Sequence, residues 1–299
     1  ATDALDTCEI DLGAHEIPRV TMGKRELVLK GEDRMDTRQT SIEGEDVHLA
    51  MVADGHGGYK AAELCEQKLM TYFLEFATSP DAKCLRSACR KTFLKLHDEV
   101  LAITPPTTAG TTLTLVIVNP KRREITCAHA GDSVAVMVPL TGKMVVSELC
   151  EDHRIDSSTT ERARLKSMGG RIAHAKDAFG QPGGPLRLWP GGVAQARTIG
   201  DSDIGEYNDP RPYVATYPFP ESHFFDIVVC SDGVWDALLR NSVGAICRKS
   251  GSCTAEVAAR LIVNSSLQQR HAYDNQVTDE LHLAAQHGVA TSLRAPCFT

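Results

Sequence analysis

The sequence predicts an α+β fold, with helices set apart from antiparallel sheets. Three observations carry that expectation. Strand-like apolar runs with short turns between them fill residues 111–139, helical periodicity comes in pairs on either side of that block, and neither strict strand–helix alternation nor a purely β pattern fits.

The first clear strand is 47–53, which runs into Asp54-Gly55-His56-Gly57-Gly58, where closely spaced glycines force a turn before a helix. Ala61, Leu64, Cys65, Leu69, Tyr72 and Phe73 recur at helical spacing, as do Leu85, Ala88, Phe93, Leu96, Val100 and Leu101, with Ser79-Pro80 dividing the two helices. Residues 111–118 and 124–130 read as a hairpin of β-branched strands about the polar turn 119–123. Gly131-Asp132-Ser133 turns the chain again into a strand over 134–139. A helix is expected at 157–167, capped by Ser/Thr before Glu161 and stopped by Gly169-Gly170. Residues 173–192 are so dense in glycine and proline that the expectation there is a long irregular loop with a functional role. The near-continuous apolar run 224–230 reads as a buried strand ending in Ser231-Asp232-Gly233, and helices are expected at 241–249 and 254–268.

With 299 residues, 42% hydrophobic and 24% charged, the composition is that of an ordinary globular chain. No repeat or low-complexity linker divides it, so one domain over residues 1–299, and a monomer, is the expectation. A net charge of -7 argues against nucleic acid or anionic membrane as partners and leaves room for cations. The longest apolar runs, 113–118 and 224–230, fall well below the roughly 18 residues of a membrane span. The first eleven residues show no signal-peptide core, and the missing initiator Met leaves targeting unread. Ten cysteines without a C-x-x-C pair give no zinc or thioredoxin signature. Cys65, Cys127, Cys230 and Cys247 sit in apolar segments, which favours a reducing compartment, cytoplasm or nucleus, over a disulfide framework.

Three separate strands end alike, in Ala53-Asp54-Gly55, Ala130-Gly131-Asp132 and Ser231-Asp232-Gly233. Each places a carboxylate at a sheet rim beside a glycine that admits close backbone approach. Asp236, four residues past Asp232, faces the same space if a helical turn begins there. Carboxylates gathered in one rim repel one another unless cations sit between them, and all-oxygen ligands suit Mg²⁺ or Mn²⁺. Any one Asp-Gly alone is more often a turn, and Asp236 alone a solvated helix face. Asp54 stands apart because His-Gly-Gly follows it directly.

Taken in order, Asp54-Gly55-His56-Gly57-Gly58, Ala130-Gly131-Asp132-Ser133, residues 192–201 (GVAQARTIGD) and Ser231-Asp232-Gly233-Val234-Trp235-Asp236 resemble the motifs of the metal-dependent, type 2C (PPM/PP2C-like) protein serine/threonine phosphatases. The resemblance runs from about Gly23 to Asn275. It implies a central antiparallel β-sandwich flanked by antiparallel helix pairs, four layers in αββα order, with two divalent ions, Mg²⁺ or Mn²⁺, at one end. It also implies phosphoserine and phosphothreonine proteins as substrates. Residue by residue, Asp54 resembles the carboxylate bridging both ions and Gly55 the backbone carbonyl ligand of the second. Asp232 and Asp274 resemble ligands of the first, and Asp132 and Asp236, with Asp232, the weaker third-metal site that some members show. Glu32 stands where the family places an acid that holds a metal-bound water, and His56 resembles its general acid. Two ions could make water the nucleophile without help from a protein nucleophile.

Two departures bear on this resemblance. The family's phosphate-gripping Arg position is Val28 here, so Lys30 or Arg25, with Arg34 as a further candidate, is expected to hold the phosphate more weakly. After Asp274-Asn275, residues 276–282 are too polar for the buried strand that family members place there, which weakens Asp274 as a ligand. The segment 173–192 falls where the family has its flap beside the active site and is expected to govern substrate choice. Two other readings compete. Gly131-Asp132-Ser133 and Gly200-Asp201-Ser202, with the D-x-x-H of residues 279–282, resemble the blocks of a GDS-type serine esterase. A catalytically weak or inactive phosphatase-like module that binds phosphoproteins is the other.

Overall fold

The computed structural model describes residues 20–27, 31–141, 145–176, 179–220, 224–250, 254–274 and 288–296. In chain order the first elements are strands β1 (Thr21–Leu27), β2 (Arg34–Ile42), β3 (Glu45–Ala53) and β4 (Gly55–His56), then helices α1 (Lys60–Phe76) and α2 (Ala82–Leu101). Next come β5 (Gly110–Thr111), β6 (Leu113–Asn119), β7 (Glu124–Ala130), β8 (Val134–Pro139) and β9 (Ser147–Glu148), then α3 (Thr159–Ser167). The flanking hairpin β10 (Arg171–Lys176) and β11 (Pro182–Trp189) leads to β12 (Ile199–Gly200), β13 (Tyr213–Pro218) and β14 (Phe224–Cys230). The last elements are α4 (Asp232–Trp235), α5 (Arg240–Ser250), α6 (Ala255–Asp274) and β15 (Gly288–Pro296).

Two five-stranded antiparallel sheets, in the orders β13-β7-β6-β3-β2 and β1-β15-β14-β8-β9, form the centre. The period-two pattern of β3 shows how they are covered. Ala50 and Val52 face the other sheet and pack in one cluster with Val116, Cys127, Phe225 and Ile227. Leu49, Met51 and Ala53 face the opposite way, onto Leu69, Phe73, Phe93 and Leu96 of α1 and α2. The second sheet repeats the arrangement, with Val134, Val136 and Val228 packing on Trp235, Val243 and Ile262 of the last three helices. Layers therefore run helix, sheet, sheet, helix, and a strand covered on both faces reads as a near-continuous apolar run. Cys65, Cys127, Cys230 and Cys247 are buried, as their apolar neighbourhoods predict.

The predicted helices form, with caps where the sequence marks them. Asp81 accepts from Cys84 N at the start of α2, and Ser158 from Glu161 N at the start of α3. At the end of α3 the left-handed Gly169 (φ 85°) lets Gly170 N reach back to Leu165 O at 2.8 Å.

One expectation fails outright: residues 173–192 are no irregular loop but most of a two-stranded antiparallel hairpin, β10–β11, with a register shift at His174/Ala175. Glycine and proline are tolerated there because a two-stranded ribbon has open edges, where a missing N–H need not break a ladder. The hairpin and α3 close over a small apolar cluster of their own, including Ile155, Leu165, Leu188 and Val193. The sequence reading also misses β1, β2, β13 and β15. The strand that seems absent after Asp274 is β15, which begins only at Gly288 and lies between β1 and β14. Residues 276–282 themselves lie outside the described residues.

Candidate metal centre

Three strand ends deliver their carboxylates to one place. Asp54 follows β3, Asp132 sits in the turn between β7 and β8, and Asp232 opens α4 directly after β14; all three line one cavity of about 920 Å³. Local geometry fixes each. Asp54 N donates to Thr112 Oγ1 at 3.1 Å and Asp54 O accepts from Thr112 N at 2.9 Å, pinning the end of β3 to the next strand. Gly131 (φ 117°) turns the chain at Asp132 where a Cβ would lie 2.5 Å from that of Thr112, so only glycine fits. The Trp235 indole donates to the carbonyls of Val134 and Cys230, which locks α4 against the second sheet. Because that short helical turn forms, Asp236 N bonds Asp232 O at 2.8 Å and Asp236 lines the same cavity.

Glu32, Gly55 and His56 line it too. A Cβ on Gly55 would stand 2.5 Å from the Glu32 carbonyl, so this glycine is a close-approach position. Glu32 Oε1 accepts from Gly58 N at 2.8 Å, which ties the acid to the glycine turn. His56 Nε2 lies 2.8 and 3.0 Å from the two oxygens of Asp201. Burial pushes the His56 pKa down, but the Asp201 hydrogen bond and charge, with Asp132 and Glu32 beyond, more than offset it and the net shift is upward.

The electrostatics are those of crowded acids. Burial first, then the charges of Asp232, Asp33 and Asp132, raise Asp54 well above the usual carboxylate range. Burial and the Asp232 charge push Asp33 up to about 7, and burial with the Asp132 charge pushes Asp232 up to about 6. Asp33 Oδ2 and Asp132 Oδ1 are buried without a hydrogen-bond partner. Among the described residues no ready cage of three or more His, Cys, Asp or Glu side chains stands at ligating geometry. The donor set nonetheless fits a hard divalent cation: oxygen-only, buried, with pKa values raised by burial and mutual repulsion, and with two orphaned carboxylate oxygens.

The basic residues differ from expectation. Arg25 is an exposed residue of the sheet-edge strand β1 and does not line the cavity, and Lys30 lies outside the described residues. Arg34 turns away onto Gly31 O and the carboxylates of Glu63 and Glu66. The cations that do line the cavity are Arg154, Arg187 and Arg270. Asp274 is the last residue of α6, one turn beyond Arg270; its side chain is outside the described residues. Asp33, Arg154 and Asp201 are site residues that the sequence reading misses, although Asp33 adjoins Glu32 and Asp201 closes the segment 192–201. The serine-esterase pattern finds no support: Ser133 is fully buried and bonded to Thr112 Oγ1 at 2.7 Å, and Ser202 Oγ donates to Thr107 O.

Comparison with known proteins agrees with this geometry. A family model described as Protein phosphatase 2C matches residues 24–275. "Probable protein phosphatase 2C 15" of Arabidopsis thaliana is 32% identical over 282 residues, covering 91% of this chain and 62% of its own. "Probable protein phosphatase 2C 33" of Oryza sativa subsp. japonica is 30% identical over 270 residues, covering 87% and 60%. This chain thus spans about three fifths of the length of such relatives. Among solved structures, a serine-threonine phosphatase 2C from Toxoplasma gondii superposes with a TM-score of 0.72 at 15% identity, over 94% of this chain and 96% of that one. A C. elegans sex determining protein gives 0.74 at 18% identity, over 92% and 64%; at such identities both show the shared fold. With the ordered motifs, the four-layer sandwich and a matching family model in agreement, the chain belongs to the protein phosphatase 2C family.

Proposed function

We propose that this chain is a metal-dependent protein serine/threonine phosphatase that releases phosphate from phosphoserine and phosphothreonine with two divalent cations, Mg²⁺ or Mn²⁺, in the acidic cavity. One observation carries the reading: Asp54, Asp132 and Asp232 arrive from three separate strand ends in a single cavity, where burial and neighbouring carboxylates raise the pKa values of Asp54 and Asp232. Asp54, the Gly55 carbonyl, Asp232 and Asp274 are the groups that would hold the two ions. Asp132 and Asp236, the pair that the resemblance gives to a weaker third ion, are bridged here by Arg154. When bound, such ions supply Lewis acidity and lower the pKa of water.

The chain's own residues do the rest. Glu32, fixed through Oε1 by Gly58 N, keeps its other oxygen to orient a water. With Nε2 of His56 tied to Asp201, Nδ1 is the atom left to hand a proton to the departing serine or threonine oxygen. Arg187 and Arg270 replace Lys30 and Arg25 as the phosphate-holding residues, since both line the cavity and neither is ion-paired among the described residues.

The test is Mn²⁺-dependent phosphate release from a phosphothreonine peptide. EDTA should abolish it, and Asp54→Ala should lower it roughly 10³-fold, the scale of several kcal/mol of lost metal stabilisation. Phosphate release indifferent to both would refute the proposal. Peptide binding with no release would favour the non-catalytic module instead.

A further inference from the structure

Asp132 and Asp236 share a cation that belongs to the chain itself. Arg154 Nε donates to Asp132 Oδ2 at 3.0 Å, and its terminal Nη2 donates to Asp236 Oδ1 at 2.9 Å. The Asp132 side chain is 4% exposed and that of Asp236 54%, so one planar guanidinium ties a buried carboxylate to one at the cavity mouth.

The guanidinium is held by a built frame. Arg154 and Gln195 form an antiparallel bridge, flanked by Ile155 N to Ala194 O and Ala196 N to His153 O, each 2.8 Å. Arg154 N donates to Asp152 Oδ1 at 2.9 Å, and Ser157 Oγ donates to the other oxygen of Asp152 at 2.5 Å. Across the bridge, Gln195 Nε2 donates to Asp132 Oδ2 at 2.9 Å, the same oxygen that Arg154 takes. Both partners of one bridge therefore deliver donors to one carboxylate oxygen. Asp132 keeps only Oδ1 uncommitted. An arginine keeps its charge at every pH of interest.

We infer that Arg154 is a built-in cation that takes, between Asp132 and Asp236, the place of a third divalent ion, so that this chain has no exchangeable third-ion site. The inference rests on the metal-centre reading above. A divalent ion contacting both carboxylates must expel the guanidinium and then endure its repulsion nearby, because the side chain stays tethered. A tethered cation also competes at an effective concentration that no free metal in the cell matches.

Mn²⁺ binding to the full chain, counted by electron paramagnetic resonance of the free ion and by calorimetry, tests this. The wild type should fill its tight sites and take up nothing more into the millimolar range. Arg154→Gln, which removes the charge, should gain one further weakly held ion. Arg154→Lys should not, and adding Asp236→Asn to Arg154→Gln should abolish the gain. The wild-type count is decisive even if a variant fails to fold: a third, weaker ion on unmodified protein overturns the inference. So does an Arg154→Gln variant that keeps its tight ions and gains none. If the wild type binds no Mn²⁺ at all, the tight-site count is zero and the two-ion reading falls with it, an outcome distinct from the other two.

Discussion

Asp201 adopts a left-handed backbone conformation, φ 55°, that few residues other than glycine and asparagine take readily, and its side chain is 2% exposed. Thr198 Oγ1 donates to one of its oxygens and His56 Nε2 meets both. A Cβ on Gly110 would collide with that carboxylate, so the glycine clears its place. An acid buried in this way orients the imidazole and leaves Nδ1 free. Asp201→Asn keeps the shape and loses the charge. It should cut kcat on a phosphothreonine peptide about 10- to 100-fold, within the range of general acid catalysis. Turnover of p-nitrophenyl phosphate, whose leaving group needs no proton, should fall far less. Steady-state kinetics on both substrates decide it, and equal losses would mean that Asp201 serves only the fold. Nothing in the residue order pairs position 56 with position 201.

Among the elements, the β2–β3 and β6–β7 turns are joined by one carboxylate. Glu45, first residue of β3 and 8% exposed, accepts from Arg122 Nε at 2.7 Å, from Arg122 Nη2 at 3.1 Å and from Asn119 Nδ2 at 3.0 Å. The Arg122 hydrogen bonds are the main reason that its pKa falls to about 2. A depressed carboxylate stabilises the fold above its unfolded pKa, near 4.5, and that contribution fades as pH falls through about 2. Arg122→Ala should therefore cost about 1–2 kcal/mol at pH 7, less than the shift alone implies because Arg122 is partly solvated. Urea unfolding of both proteins at pH 7 and at pH 3 checks this, with a gap that narrows in acid. The same scale shows where sequence reading stops. Strands 113–119 and 224–230 announce themselves because both faces are covered, whereas β2 buries only Met35 and Ile42 and hides among polar residues. The β10–β11 hairpin hides behind its glycines and prolines.

Across the whole molecule, the two sheets converge on a cluster of acids whose folded pKa values stand above the unfolded 3.8, at about 7 for Asp33 and about 6 for Asp232. Between those limits the folded chain binds more protons than the unfolded one, so without metal its stability falls as pH rises from about 4 toward 7. A divalent ion bound among these acids would take over the protons' role and, binding the native state alone, would stabilise it by about 2.7 kcal/mol at a hundredfold excess over Kd. In EDTA the Tm should drop between pH 5 and pH 8, and the gain on adding Mn²⁺ should widen over the same range. Thermal melts with and without Mn²⁺ read both, and Asp54→Ala should lose most of the Mn²⁺ gain. A metal-induced gain that shrinks with rising pH would contradict the proton-for-metal exchange.

Residue order alone determined the class of fold, the helix pairs, the doubly covered strands and the acids Asp54, Asp132, Asp232 and Asp236, because each of these is written in local periodicity or in a glycine beside an aspartate. Tertiary structure decided what depends on distance through space. It placed Asp33 among the crowded acids, set Asp201 behind His56, put Arg187 and Arg270 in the cavity in place of Arg25, and laid Arg154 across Asp132 and Asp236. The reason is physical: a carboxylate's partner is chosen by which chain segments a buried sandwich brings within about 3 Å, and hydrogen-bond reach has no counterpart in sequence spacing.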